Sequence, residues 1–259
     1  MSDIHETAVI EDGATLGDNV KIGAYTVVSS DSTLADGVEL GPRVSLEGDV
    51  TIGEDTTVAS GAILGSPPQD RAYDGEPTKV RIGKRNIIRE YVTVNRATSG
   101  HGEATEIGDD NMIMSYCHVA HNCKIGDNVD MANGVTLAGH VEVEDHVMMG
   151  GLAPVHQFVR IGEYAMVGGL SRINKDIVPY IRASGNPAKV FDVNVVGLRR
   201  SDMDSDTLSL LKKAVEILFR SGNNTSQAVD QIKDELPDND RIQHLLEFID
   251  RSERGILKK

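Results

Sequence analysis

Five of the eight histidines, His118, His121, His140, His146 and His156, fall in one stretch of the chain. An exposed imidazole works as a general base near neutral pH. Gly139, without a Cβ, lets another group approach its backbone N–H closely. A base beside such a donor is what acyl transfer to a hydroxyl needs. The base takes the alcohol proton as the oxygen attacks a thioester, and the N–H stabilises the oxyanion that develops. The same histidines permit a second chemistry, because three imidazoles from neighbouring segments can bind zinc. The run Cys117-His118-Val119-Ala120-His121-Asn122-Cys123 superficially resembles a set of metal ligands. His118 and His121, however, stand three apart, and strand geometry separates them onto different faces. A third reading is that the histidines only decorate turns.

Which reading holds depends on the elements that carry these residues. Every sixth residue from Ile4 to Leu64 is aliphatic, eleven in succession. The count resumes at Ile82, Ile88 and Val94, and again from Ile107 to Ile173, for 26 anchors in all. Neither the helical period of 3.6 nor the strand period of 2 produces a strict six. A parallel β-helix does: each hexapeptide supplies one short strand and one turn, and three close a triangular coil of about 18 residues. About nine coils stacked at ~4.8 Å predict a prism roughly 40 Å long. Glycine after the anchor, as in Leu16-Gly17, Ile107-Gly108 and Ile125-Gly126, is read as fitting tight corners.

An 18-residue coil places His121, Gly139 and Gln157 in one column and His140 over Asn122. Two stretches break the count, 66–79 and 98–106, and read as loops extruded from corners; the second contains Gly100 and Gly102. After Pro187 the pattern becomes helical. Leu208, Leu211, Val215, Leu218 and Phe219 share one helix face, with Asp204 or Ser205 as N-cap and Ser221-Gly222 as its end. Helices are also expected over 226–236, stopped by Pro237, and around Ile242 to Ile249. The chain therefore divides into a β-helix over 1–189 and a helical region over 190–259.

Composition narrows the function classes. The chain has 259 residues and a formal net charge of −14, which argues against general nucleic-acid binding. No run approaches the ~20 apolar residues of a membrane span, so no stable membrane insertion is expected. The acidic start, Met1 to Glu6, leads us to expect no secretory leader. Two cysteines are too few for a disulfide framework and suit a reducing cytoplasm.

The ordered motifs carry a family resemblance. They are Gly65-Ser66-Pro67-Pro68-Gln69-Asp70 with Gly75-Glu76-Pro77-Thr78, Ile88-Arg89-Glu90, His118-Val119-Ala120-His121-Asn122-Cys123 and Leu137-Ala138-Gly139-His140. They continue with Val155-His156-Gln157-Phe158, Gly185-Asn186-Pro187 and Asn194-Val195-Val196-Gly197-Leu198-Arg199-Arg200. Over essentially its whole length the chain resembles the bacterial acyl-[acyl-carrier-protein]–UDP-N-acetylglucosamine O-acyltransferases, the first enzymes of lipid A synthesis. The resemblance implies a homotrimer of left-handed parallel β-helices with active sites between subunits. The left hand is an exception to the usual crossover rule. It implies transfer of a 3-hydroxyacyl chain from acyl carrier protein to the sugar 3-hydroxyl of UDP-N-acetylglucosamine, without metal or other cofactor.

By the same resemblance His121 is the general base and the Gly139 N–H the oxyanion donor. Gln69, Asp70, His118, His140, His156 and Gln157 match positions that hold the sugar or the thioester. Asn194 and Arg200 match positions that contact the nucleotide, where a guanidinium suits phosphate oxygens. Gly169 matches the residue that limits acyl length, and a glycine there implies an open groove and a longer chain.

Three positions depart from the family pattern. Ala72 stands where many members carry lysine, with Arg71 beside it. Asn122 stands where some members carry an aspartate, so a backbone carbonyl is left to fix the imidazole tautomer. Val196 stands where some carry a glutamate near the uridine. The acidic carrier protein calls for a local basic patch, for which Arg160, Arg172, Lys175 and Arg182 are the candidates. An N-acyltransferase acting on a related amino-sugar nucleotide, a γ-class carbonic anhydrase and a non-catalytic scaffold remain the alternatives.

Overall fold

The computed structural model describes residues 2–100, 103–201 and 203–258. Most anchors occupy the second, inward position of a two-residue strand, as in Lys21–Ile22, Val27–Val28 and Thr33–Leu34. Successive strands turn onto three faces. The first begins at Asp3–Ile4, the second at Val9–Ile10 and the third at Thr15–Leu16, and these sheets hold eleven, eight and eight strands. Within the regular coils every pairing is parallel, and partners such as Ile4 and Ile22 are 18 apart. The column inside is Ile, Leu, Val and Met, from Ile22 through Leu64 and Met131 to Val167, all buried. Only apolar side chains fill it because each carries no polar group that would go unpaired there.

The corners show why glycine follows so many anchors. Between the third and first faces, the second corner residue directs its N–H at an aspartate of the next coil. Asp18, Lys84, Asp109 and Asp127 donate to Asp36, Asp109, Asp127 and Asp145 at 2.7–2.8 Å. A Cβ on the preceding Gly17, Gly83, Gly108 or Gly126 would lie 2.1–2.4 Å from the accepting Oδ1. The glycines therefore make room for a ladder of carboxylate caps, a more specific cause than tight turning. The third corner residue adopts positive φ in coil after coil, including Tyr91, Tyr116, Asn122, His140, His146, Phe158 and Tyr164. Their rings stack along the corners: Tyr91 on Tyr116 at 5.4 Å, His146 on Tyr164 at 4.5 Å.

Both count-breaking stretches leave from the corner between the second and third faces. One separates the strands Ile63–Ser66 and Lys79–Ile82, the other Thr93–Asn95 and Ala104–Ile107. Of the glycines expected in the second loop, Gly100 has φ 96°, and Gly102 lies outside the described residues.

An antiparallel pair, Ile181–Ser184 with Lys189–Val193, ends the first sheet. Among the described residues four helices follow: α1 (Val195–Arg200), α2 (Ser205–Arg220), α3 (Thr225–Glu235) and α4 (Asp240–Asp250). Asp204 caps α2, accepting from the N–H groups of Asp206 and Thr207. Asn224 and Gln227 form a capping box on α3. The short α1 is absent from the sequence-based expectation, since six residues are too few for an apolar period. Among the described residues no helix is long and apolar enough to cross a membrane.

A charged cluster ties α4 to the coils. His244 Nε2 lies 3.1 Å from Glu144 and its Nδ1 2.7 Å from the Tyr180 hydroxyl. Arg241 donates to Glu163 at 2.7 Å, and Glu163 also faces His244 at 3.5 Å. The hydrogen bond to Glu144 and the two carboxylate charges raise the His244 pKa against burial and Arg241. A raised value means that this contribution is complete below the unfolded pKa of about 6.5 and is lost as pH rises through the folded one. We expect the melting temperature to fall by about 2–4 °C between pH 6.5 and 8.5. The same scan of His244→Gln should lose that slope.

Candidate active site

His121 sits at the corner between the second and third faces. Its coil partner is Gly139: a Cβ built there would lie 2.5 Å from His121 Cε1 and 2.6 Å from Nε2. The imidazole thus occupies the space that any side chain at 139 would fill. The Gly139 carbonyl accepts from the Phe158 N–H at 3.1 Å, whereas its own N–H donates to no described group. The equivalent amides on the neighbouring corner are the ones capped by aspartates. Here the next coil offers Gln157, exposed, whose side chain makes no hydrogen bond to a described residue. The Gly139 amide is consequently left for a ligand.

The other ring nitrogen is committed. His121 Nδ1 lies 2.9 Å from Asn122 Oδ1. That oxygen also accepts from the Thr98 N–H at 2.9 Å and the Thr98 hydroxyl at 3.0 Å, while Asn122 Nδ2 donates to the Thr98 carbonyl at 3.2 Å. With Oδ1 fixed as an acceptor, Nδ1 must carry the proton, and Nε2, the nitrogen beside Gly139, keeps its lone pair. This corrects the expectation that a backbone carbonyl sets the tautomer; the Asn122 side chain does so.

The remaining positions divide by corner. His140 packs edge-on against His121 at 5.1 Å and flat on Phe158 at 4.6 Å. His118 Nδ1 is 2.7 Å from Thr93 Oγ1, and burial together with His121 holds its pKa below the ordinary value. His156 Nδ1 donates to the Gln157 carbonyl at 3.1 Å. Gln69 and Asp70 lie on the first extruded loop, which leaves the same corner; Asp70 Oδ1 accepts from the Ala72 N–H at 2.9 Å. His121, Gly139, His140, His156 and Gln157 therefore share one end of one edge, with His118 beside them on the second-face strand His118–Val119 and the loop below.

Asn194 and Arg200 do not join them. They line a cleft of about 630 Å³ with His146, Tyr164 and Arg182, at the corner between the third and first faces. Asn194 is buried and caps α1: its Oδ1 accepts from the Gly197 N–H and its Nδ2 donates to the Tyr164 carbonyl. Arg200 is exposed and pairs with no described residue. Val196 is 59% exposed and lines the same cleft. Gly169 lies on the remaining corner, where a Cβ would meet nothing closer than the Gly151 carbonyl at 3.3 Å. Each face is about six residues, or on the order of 20 Å, across. The three groups therefore stand on three separate edges of one chain.

Two expectations change. Arg160 cannot belong to a docking patch: its guanidinium is held by Glu142 at 3.1 Å, Glu144 at 3.5 Å and the Phe248 carbonyl at 3.2 Å. Arg182 faces the Asn194 cleft, which leaves Arg172 and Lys175 exposed near the late coils. The cysteines are core residues, their thiols pushed up by burial to about 11 for Cys117 and about 12 for Cys123. Phe158, Tyr164 and Thr98 went unassigned in the sequence. The first two are legible from the same 18-residue columns as His140 and His146; Thr98 lies in a stretch that breaks them.

Known proteins match this chain in sequence and fold. Residues 176–257 fit the family described as UDP N-acetylglucosamine O-acyltransferase, domain 2, and residues 104–139 fit the bacterial transferase hexapeptide family. The acyl-[acyl-carrier-protein]–UDP-N-acetylglucosamine O-acyltransferase of Thermodesulfovibrio yellowstonii is 47% identical over the full length of both chains. The chain belongs to the acyl-[acyl-carrier-protein]–UDP-N-acetylglucosamine O-acyltransferase family. Among solved members, UDP-N-acetylglucosamine acyltransferase from Campylobacter jejuni is 41% identical, with TM-score 0.94 over 99% of this chain and 100% of that one. The Francisella novicida enzyme is 30% identical, with TM-score 0.97 over 99% and 94%. The fold is the family's left-handed parallel β-helix with C-terminal helices, and the chain is an acyltransferase.

Proposed function

We propose that this acyltransferase moves a 3-hydroxyacyl group from acyl carrier protein to the 3-hydroxyl of UDP-N-acetylglucosamine, in the cytoplasm, as the first step of lipid A synthesis. The observation that carries the mechanism is the His121 Nε2 beside the Gly139 N–H, neither of which pairs with a described residue. Nε2 takes the proton of the sugar hydroxyl, and that oxygen attacks the thioester carbonyl carbon. The carbonyl oxygen becomes an oxyanion, to which the Gly139 N–H donates. Collapse breaks the carbon–sulfur bond, and the imidazolium returns its proton to the leaving thiolate. His118, His140, His156 and Gln157 line the approach at this edge; Gln69 and Asp70 reach it from the loop.

The acceptor must also meet Arg200, whose free guanidinium suits a diphosphate. In one chain that residue stands on another edge, and the segment carrying Arg251 and Glu253 lies over the intervening face beside Asn122 and His140. A homotrimer whose neighbouring subunits bring these two edges together satisfies both contacts. The exposed Arg172 and Lys175 suit an acidic carrier protein.

Incubation with 3-hydroxyacyl carrier protein and UDP-N-acetylglucosamine should yield a sugar nucleotide heavier by one hydroxyacyl group, cleaved by mild base as an ester. A base-stable amide formed only on an amino-sugar acceptor would move the activity to N-acylation; no product would remove the reading. Gly169 makes a finer prediction. Its φ lies outside the left-handed region and an added Cβ would meet only the Gly151 backbone, its carbonyl at 3.3 Å, a contact relieved by a shift of a few tenths of an ångström, so Gly169→Met should shift preference toward shorter acyl donors by about tenfold or more in kcat/KM. Long and short donors compared on the two proteins check this. A wild-type preference for the short donor contradicts the open groove.

Zinc chemistry at the histidines is tested separately. Among the described residues no three His, Cys, Asp or Glu side chains gather closely enough to hold a metal within one chain. Metal analysis giving one histidine-bound zinc per subunit would favour the carbonic anhydrase alternative.

A further inference from the structure

An amide beside a catalytic imidazole differs from a carboxylate in one respect. A carboxylate accepts from either oxygen, so it directs the imidazole proton to Nδ1 whichever way it is turned. An asparagine accepts at one end and donates at the other. Turned round, Asn122 would point its NH₂ at His121 Nδ1, draw the lone pair there and leave the proton on Nε2. A base so protonated cannot take the hydroxyl proton. The activity therefore requires something that holds Asn122 Oδ1 toward His121.

We propose that Thr98 is the positioning residue that does this, and that the second extruded loop is thereby part of the catalytic apparatus; the inference rests on His121 being the base. Three contacts from Thr98 read the orientation of the amide. Its N–H and hydroxyl donate to Oδ1 at 2.9 and 3.0 Å, and its carbonyl accepts from Nδ2 at 3.2 Å. Reversing the amide would set NH₂ against N–H and oxygen against oxygen at once. Each such buried mismatch would leave polar groups desolvated and unpaired, which is more costly than the hydrogen bond it replaces is favourable. Thr98 and Asn122 are both more than nine-tenths buried, so water does not relieve them. Asn122 is itself fixed to the coil by its N–H donating to Thr105 Oγ1 at 2.9 Å, where the same loop rejoins the third face. Thr98 touches no reacting atom; it acts through Asn122.

The test reads the tautomer directly, by nitrogen NMR of histidine-labelled enzyme, alongside kcat and KM. The wild type should show His121 protonated at Nδ1. Thr98→Val removes one of the three contacts and should lower kcat two- to fivefold. Thr98→Pro removes both donors and should lower kcat at least tenfold with KM unchanged, while an Nε2-protonated signal appears. In an Asn122→Asp background Thr98→Pro should change neither tautomer nor kcat, because a carboxylate cannot be turned the wrong way. That background also separates orientation from a damaged loop, which would harm both. An unchanged tautomer and kcat in Thr98→Pro, or an equal loss in the Asn122→Asp background, overturns the proposal. The spectrum needs no turnover. An inactive wild type, or a fully active His121→Ala, would instead remove the reading of His121 on which the proposal rests.

Discussion

His121→Ala should lower kcat about 10³-fold while leaving the fold intact. The magnitude follows from the proton transfer: a positioned general base contributes 10²–10⁴-fold, and no other described imidazole beside it takes its place. His118 is turned to Thr93, His156 donates Nδ1 to a carbonyl, and His140 stacks on Phe158. The side chain is only half-buried at a corner, outside the Ile–Leu–Val column, so its removal opens no core cavity. Steady-state kinetics with the carrier-bound donor, beside a thermal melt, checks both halves. Activity within tenfold of wild type would remove His121 from the mechanism.

Gly139→Ala should be nearly as severe, by a different route. Its φ lies outside the left-handed region, so alanine imposes no backbone strain. The added methyl would instead lie 2.5 Å from Cε1 and 2.6 Å from Nε2 of His121, far inside contact distance. Asn122 holds the other side of the ring, so the imidazole must tilt away from both Asn122 and the Gly139 N–H. Displacing a base by about 1 Å costs on the order of 10²-fold in rate. We expect that loss in kcat with the melting temperature almost unchanged. A fully active Gly139→Ala would show that the imidazole does not work from this position.

These two predictions rest on what the sequence made legible. The six-residue count succeeds because nearly every anchor falls at an inward strand position, so from Ile22 onward periodicity and burial are one observation. Stacking His121 on Gly139 follows from the same count, since no insertion separates residues 107 and 173. Legibility ends where the count breaks. Thr98 lies 24 residues from Asn122 in an extruded loop, and no period connects them. Arg160 reads as a surface cation because the carbonyl that helps bury it belongs to Phe248, 88 residues later on α4. Asn194 shows the same limit: within its motif it matches a nucleotide contact, and only the six-residue α1 reveals a cap. The glycines after the anchors were recognised by place, but their cause, an aspartate one coil ahead, needed the corner geometry.

Separation of the catalytic edge from the Arg200 edge is the claim on which the whole account turns, and subunit complementation tests it most directly. His121→Ala and Arg200→Ala chains, each nearly inactive alone at low acceptor concentration, are mixed in equal amounts and allowed to exchange. In a cyclic assembly with sites between neighbours, a working site needs an intact His121 from one chain and an intact Arg200 from the next. Random mixing supplies this at about one site in four, so about a quarter of wild-type activity should return. Recovery of that size is the predicted result. No recovery, with exchange verified by mass spectrometry of the mixed assemblies, would show that each chain holds a complete site and would contradict the account.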